Sequence, residues 1–213
     1  MGVTVLLLVR HARAEQTGKR LYGRTRGIHL SARGRAEAED LAARLAPLSI
    51  AAIFTSPLER CMETAKAIAG GRGLRPRVLG ALNEVDYGRW TGRSFPALRR
   101  TKIWERVRTS PSSVRFPDGE TLAEVQHRVV DALEAIAAMH AARAVAVVTH
   151  GDAIRLALAH YAGVHLDLFA RLEVAAGSVS AVALEDGRPR ILRVNDTGAL
   201  EDLVPARGRR VRG

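Results

Sequence analysis

Val3-Thr4-Val5-Leu6-Leu7-Leu8-Val9-Arg10-His11 carries a β-branched-rich apolar run straight into a cation and an imidazole. Apolar residues at consecutive rather than alternate positions are the pattern of a strand buried on both faces, as in a parallel sheet. Ala144-Val145-Ala146-Val147-Val148-Thr149 has the same character and is followed directly by His150-Gly151, and Ile50 to Thr55 reads as a third strand. Helical stretches separate them. Ser31 can cap a helix running to Leu45, with Leu41 and Leu45 on one face. Glu120 to His140 places Leu122, Val125, Val129, Leu133 and Ile136 three or four apart, and Asp152 to Tyr161 forms a further helix. Strands alternating with helices predict an α/β fold: a three-layer sandwich whose largely parallel central sheet has helices on both faces. Ser178 to Leu184 and Arg190 to Val194 can pair as a hairpin across Asp186-Gly187, which adds an antiparallel edge.

Two further elements are expected between these landmarks. Ser56-Pro57-Leu58-Glu59 has a capping serine, a proline at the first helical position and a glutamate three residues after the cap, so a helix is predicted to begin there and run to about Ala69. Pro76 to Leu79 is a short strand candidate. From Leu82 to Pro117 the pattern dissolves into Gly, Pro, Arg and Ser, with a helical piece from Pro96 to Val107. A long irregular insertion of this kind reads as a functional lid. The expected organisation is one domain over residues 1–204, with 82–117 as a partly irregular lid, and a basic tail at 205–213 read as frayed and disordered.

Composition narrows the class. With 47% hydrophobic residues and 26% charged, the 213-residue chain can bury the core of one globular domain. Val3 to Val9 is too short for a signal peptide and no stretch reaches the roughly 18 to 20 apolar residues of a membrane span, so no membrane association is expected. One cysteine, Cys61, excludes an internal disulfide framework and suits a reducing cytoplasm; it reads as a small buried residue. The net charge of +11 rests on arginine, since Lys19, Lys66 and Lys102 are the only lysines. Such an excess attracts polyanions or steers a small anion toward a site. The cations are scattered outside the tail, aromatics make up only 4% of the chain, and no nucleic-acid-binding signature occurs, so a nucleic-acid partner is disfavoured.

The chemistry collects at strand ends. In open α/β sheets ligands bind beyond the carboxyl ends of the strands. Arg10-His11 and His150-Gly151 therefore share one rim, although 139 positions separate the histidines. Arg60, in the helix after the strand Ile50 to Thr55, belongs to the same rim. Free N–H groups and the positive dipole ends of two helices point there too. Two arginines, two histidines and two helix N-termini suit a tetrahedral oxyanion, because the planar arginine fork bonds two oxygens at once. His29, His127, His140, His160 and His165 show no metal-ligand spacing, so no metal site is expected.

These blocks resemble the histidine phosphatase superfamily, also called the phosphoglycerate mutase-like family. Leu8-Val9-Arg10-His11-Ala12 is similar to its Arg-His-Gly signature, with Ala12 in place of glycine. Leu21-Tyr22-Gly23 and Leu30-Ser31-Ala32-Arg33-Gly34 follow. Next comes Thr55-Ser56-Pro57-Leu58-Glu59-Arg60-Cys61-Met62-Glu63-Thr64-Ala65, then Leu82-Asn83-Glu84 with Gly88-Arg89-Trp90-Thr91-Gly92. Phe116-Pro117-Asp118-Gly119-Glu120-Thr121 and Val147-Val148-Thr149-His150-Gly151 complete the order over residues 3–185.

The resemblance implies a phosphate pocket of Arg10, His11, Arg60 and His150, with His11 as nucleophile and Glu84 as proton donor. It also implies substrate contacts at Gly23 and Gly151, with Thr17 and Arg13 in place of an asparagine and an acidic residue common in the mutase branch. The implied activity is hydrolysis of a small phosphomonoester without metal or other cofactor. The acid segment Asp86 to Gly92 and the short middle region favour the phosphatase branch. Phosphoglycerate mutase-type transfer, and non-catalytic binding of phosphorylated or nucleic-acid partners, stand as alternatives, and a homodimer is left open.

Overall fold

A computed structural model describes residues 2–15, 17–185 and 188–198. Six strands form one sheet in the order β3-β2-β4-β1-β5-β6: β1 (Thr4–Arg10), β2 (Ile50–Thr55), β3 (Arg77–Val78), β4 (Ala144–Thr149), β5 (Val179–Glu185) and β6 (Arg188–Asp196). The first four are mutually parallel where they pair, and β5 and β6 run antiparallel on one side. β1 sits between β4 and β5 with four consecutive residues buried, which is why its sequence is apolar without alternation. The alternation survives in which layer each side chain meets. Leu7, Val9, Ile53, Ala146 and Val148 pack with Leu41 and Leu45 of α1 (Ala32–Leu45) and with Cys61, Ala65 and Ile68 of α2 (Glu59–Ala69). Leu6, Leu8, Phe54, Val145 and Val147 belong to the opposite layer, and the intervening segment contributes two short helices, α3 (Phe95–Leu98) and α4 (Lys102–Thr109). That layer is completed by α5 (Leu122–Met139) and α6 (Gly151–Tyr161). The three-layer α/β sandwich is the one expected.

Register aligns the chemical rim. Arg10 of β1 lies beside Thr149 of β4, and the ladder continues one residue past the strands: the His11 N–H donates to the Thr149 carbonyl (3.0 Å) and the Ser56 N–H to the Val148 carbonyl (3.0 Å). Residues 11, 56 and 150 are thereby fixed side by side by backbone alone.

Three local expectations change. The helix after β2 begins at Glu59, with Leu58 as an uncapped extended residue, so Ser56 and Pro57 lie outside it. Ser56 is fully buried, and its hydroxyl accepts from His150 Nε2 (2.8 Å) and from the Leu58 N–H (3.4 Å), which precedes the helix. A true capping box stands at α5, where the Thr121 hydroxyl accepts the Glu124 N–H and Glu124 accepts the Thr121 N–H. The helical piece expected from Pro96 to Val107 is broken into α3 and α4. One straight helix would leave Leu98 and Trp104 about 120° apart around its axis, off a common face. The break lets both reach the same core layer, where Trp90 meets Trp104 and Phe116. The short strand at Pro76 to Leu79 is trimmed to two residues. Asp186-Gly187, the expected hairpin turn, and the basic tail at 205–213 lie outside the described residues. Among the described residues no helix is long and apolar enough to cross a membrane.

The first helix is pressed against the catalytic-side loop. Ser31 caps α1 by accepting the Gly34 N–H (3.0 Å), and the Ser31 N–H donates to the Arg13 carbonyl (3.0 Å). A Cβ on Gly34 would fall 1.8 Å from that same carbonyl oxygen, so backbone would have to move. Gly34→Ala is therefore expected to cost about 3 kcal/mol, the upper range for overpacking, read as a lowered denaturation midpoint at unchanged slope.

Candidate active site

A cavity of about 270 Å³ opens at the carboxyl ends of β1, β2 and β4, lined by Arg10, His11, Arg60, Glu84 and Gly151 among others. Its centre is His11, which is buried. The His11 Nδ1 lies 2.8 Å from the Ala12 carbonyl oxygen, and Arg60 Nε lies 3.3 Å from His11 Nε2. A carbonyl can only accept and a guanidinium can only donate. Nδ1 therefore carries the proton, and Nε2 is the unprotonated nitrogen, accepting from Arg60. Burial first, then the charges of Arg60 and Arg10, hold the imidazole well below its ordinary titration range, so it is neutral at pH 7.

Arg60 is the hinge of the site. It is buried, and besides His11 its Nη2 donates to the Gly23 carbonyl (2.8 Å) and to His150 Nδ1 (3.3 Å). Gly23 takes φ +50°, and a Cβ there would meet Tyr87 at 2.8 Å, so glycine is needed to bring that carbonyl under Arg60. His150 accepts from Arg60 at Nδ1 and donates from Nε2 to Ser56 Oγ (2.8 Å), which donates on to Asn83 Oδ1 (3.2 Å). It too is held neutral, by burial and then by Arg60. Cys61 lies 3.4 Å from the same ring, and burial pushes its thiol up to about 12, so it is a packed neutral group.

Arg10 enters from β1. Its Nη1 donates to the Val174 carbonyl (2.6 Å), while its Nε is buried without a hydrogen-bond partner among the described residues. A buried guanidinium N–H with no acceptor is costly, and here it borders the cavity that holds His11 Nε2.

Glu84 forms the opposite wall. Burial, and then the nearby charge of Asp152, raise its carboxyl to about 7, against the Val85 N–H bond to its Oε1 (3.1 Å) and the two arginines. Asp152, on the first turn of α6, accepts from Tyr87 Oη (2.5 Å) and from Arg155 (3.0 Å). A carboxyl poised near neutrality next to cations is suited to move a proton in both directions.

Arg10, His11, Arg60 and Glu84 line this cavity together with Gly23 and Gly151, whereas His150 is fully buried, does not line it, and meets the site through Arg60. Two expected substrate contacts are differently engaged. Arg13 is absent from the cavity lining and pairs with Glu37 (3.4 Å). Thr17 lines the cavity, but its hydroxyl is spent on Ala14, accepting its N–H and donating to its carbonyl (both 3.0 Å). Sequence reading missed Tyr87, Asp152 and Arg155, which also line the cavity. Asp152 and Arg155 sit one and four residues past Gly151, on the turn already aimed at the rim, and that spacing was the available signal. A larger cavity of about 480 Å³ lies where β1 begins, lined by Thr4, Glu134, Ala137, His160, Tyr161 and Leu184 among others; no arginine among the described residues borders it.

Ala12 is accommodated. It does not take positive φ, it is fully buried, and it packs with Leu30, Ala38 and Ala67. Its N–H donates to Thr64 Oγ1 (3.1 Å), which in turn donates to the Arg60 carbonyl (2.8 Å). Restoring glycine with Ala12→Gly is expected to lose about 1 kcal/mol of stability and to leave kcat within about twofold, measured by denaturation and steady-state kinetics.

Comparison with known proteins agrees with this geometry. The family model of the histidine phosphatase superfamily (branch 1) matches residues 6–197. The chain is 32% identical to phosphoserine phosphatase 1 of Hydrogenobacter thermophilus, covering 90% of this chain and 92% of that protein. It is 30% identical to a 2,3-bisphosphoglycerate-dependent phosphoglycerate mutase of Rhizobium etli, covering 72% and 78%. Among solved structures, Bacillus stearothermophilus YhfR superposes with a TM-score of 0.85 at 27% identity, covering 91% of this chain and 97% of that one.

Proposed function

This chain belongs to the histidine phosphatase superfamily (branch 1), and from that premise we propose that it hydrolyses a small phosphomonoester through a phosphohistidine on His11. The observation that carries the reading is the fixed tautomer of His11: Nδ1–H tied to Ala12, Nε2 unprotonated beside Arg60. In the first step Nε2 attacks phosphorus, the ester P–O bond breaks, and Glu84 protonates the departing alkoxide. The positive charge gained by the imidazole is shared with the Ala12 carbonyl through Nδ1–H. Arg10 and Arg60 hold the non-bridging oxygens, and His150 holds Arg60 in place through its Nδ1. In the second step the Glu84 carboxylate takes a proton from water, the water oxygen attacks phosphorus, and the N–P bond breaks to release inorganic phosphate.

Phosphoserine is the first substrate to try, on the strength of the relative of that name. The segment 82–117 is read as a lid, supported by Glu84, Tyr87 and Phe95 lining the cavity from it. A cytoplasmic setting is in keeping with Cys61 as a buried thiol. The test is to incubate the enzyme with phosphoserine and, separately, with phosphoglycerate, quench rapidly, and look for an acid-labile phosphoryl group on His11 while measuring released phosphate. Phosphate release matching substrate loss supports the phosphatase. Interconversion of phosphoglycerate isomers faster than phosphate release would replace it with the mutase, and absence of a phosphoenzyme with either substrate would overturn both.

A further inference from the structure

The loop that carries Glu84 has little secondary structure of its own, only the 3-10 turns Gly80–Leu82 before it and Gly88–Trp90 after it. Its carbonyls must therefore find donors elsewhere, and one side chain supplies most of them. Arg128, on α5, donates from Nη1 to the carbonyls of Ala81 (2.7 Å) and Asn83 (2.8 Å), and from Nη2 to that of Glu84 (3.0 Å). The same guanidinium binds Glu120 through Nε (2.9 Å) and Nη2 (3.0 Å). Glu120 accepts the Asp86 N–H (3.0 Å) and Arg24 Nη2 (2.8 Å), and Arg24 Nε also donates to the Glu84 carbonyl (3.1 Å). Burial opposes ionisation of Glu120, but the bonds from Arg128 and the Asp86 N–H and the two cations outweigh it and hold it charged.

We infer that Arg128, oriented by Glu120, is a positioning residue for the proton transfer: it sets the backbone on both sides of Glu84 and so aims a carboxyl it does not touch. This deepens the proposed mechanism and rests on Glu84 being the proton donor. A rigid, forked donor is required. Three carbonyls and a carboxylate are bonded by one planar group with five N–H donors, and lysine, a point charge with three, cannot span them. Proton transfer demands hydrogen-bond reach, and misplacement by about 1 Å can cost on the order of 10²-fold.

The position of the acid matters only where the leaving group needs a proton, which separates positioning from general support of the fold. kcat/KM is to be measured for an alkyl phosphate such as phosphoserine and for an aryl phosphate such as p-nitrophenyl phosphate, with wild type, Arg128→Gln, Arg128→Lys, Glu84→Gln and Glu84→Gln/Arg128→Gln. Arg128→Gln is expected to lose about 30- to 100-fold on the alkyl ester and about threefold or less on the aryl ester, with inhibition by inorganic phosphate unchanged. Lysine is expected to restore little, and Arg128→Gln is expected to add no further loss in the Glu84→Gln background. Equal losses on both esters for Arg128→Gln, beside a selective loss for Glu84→Gln, would overturn the inference and leave the donor in place. Equal losses for Glu84→Gln itself would overturn the donor and the inference together. If Arg128→Gln does not fold, Arg128→Lys answers the same question by the same ratio.

Discussion

Replacing His11 with alanine is expected to lower kcat on any phosphomonoester by about 10⁴-fold or more, the scale of removing a covalent nucleophile. No neighbour can take its place. His150 is the nearest imidazole, 5.3 Å away between ring centroids, but its Nε2–H is committed to Ser56 and its Nδ1 faces Arg60. Cys61 is held as a neutral thiol by burial and is fully enclosed. Binding has a different expectation. Arg10 and Arg60 remain, and the loss of a neutral ring does not reduce their positive field, so inorganic phosphate is expected to inhibit or bind the variant within about threefold of wild type. Steady-state kinetics, phosphate binding by calorimetry and the search for a phosphoenzyme check the three parts. Residual turnover within about tenfold of wild type, or a phosphoryl group found elsewhere on the variant, would remove His11 from its assigned role.

The second large effect is in the pH profile. Glu84 donates only while protonated, and its carboxyl is raised to about 7, first by burial and then by Asp152. For an alkyl phosphate, kcat/KM is therefore expected to fall as pH rises through about 7. His11 attacks only while neutral and its titration lies well below the ordinary histidine range, so the acidic limb is displaced to low pH. The result is an acid-shifted optimum. Glu84→Gln is expected to abolish the alkaline limb and lower kcat on alkyl phosphates by about 10² to 10⁴-fold, the usual range for a general acid. Asp152→Asn removes a negative charge that disfavours ionisation of Glu84, so the same limb moves to lower pH. An alkaline limb unmoved in Asp152→Asn would break the link between the two carboxyls, and a limb retained in Glu84→Gln would assign it to another group.

The strands and principal helices were legible because their signals are local. Consecutive apolar residues in β1 and β4, the period of α5, and Ser31 before α1 each reflect interactions within a few residues or burial by adjacent layers. The strand-end positions of Arg10, His11 and His150 followed from the parallel sheet alone, since pairing register sets the rim. The helix start at Ser56 misled because the serine hydroxyl serves the His150 ring and only the N–H of Leu58, which precedes the helix. The kinked segment after Pro96 misled because tertiary contact with Trp90 and Phe116 overrode a continuous helical pattern.

What the sequence determined by itself was the alternation of buried strands and amphipathic helices, the rim where the cations and imidazoles gather, and the kinship written in the blocks around them. What only the tertiary structure decided was direction and state. Arg13 turns to Glu37, Tyr87 reaches Asp152 across 65 positions, and Arg128 gathers the carbonyls beside Glu84. The proton on His11 and the raised carboxyl of Glu84 belong with these. Burial and charge at a site are sums over residues far apart in the chain, and no window along it contains them.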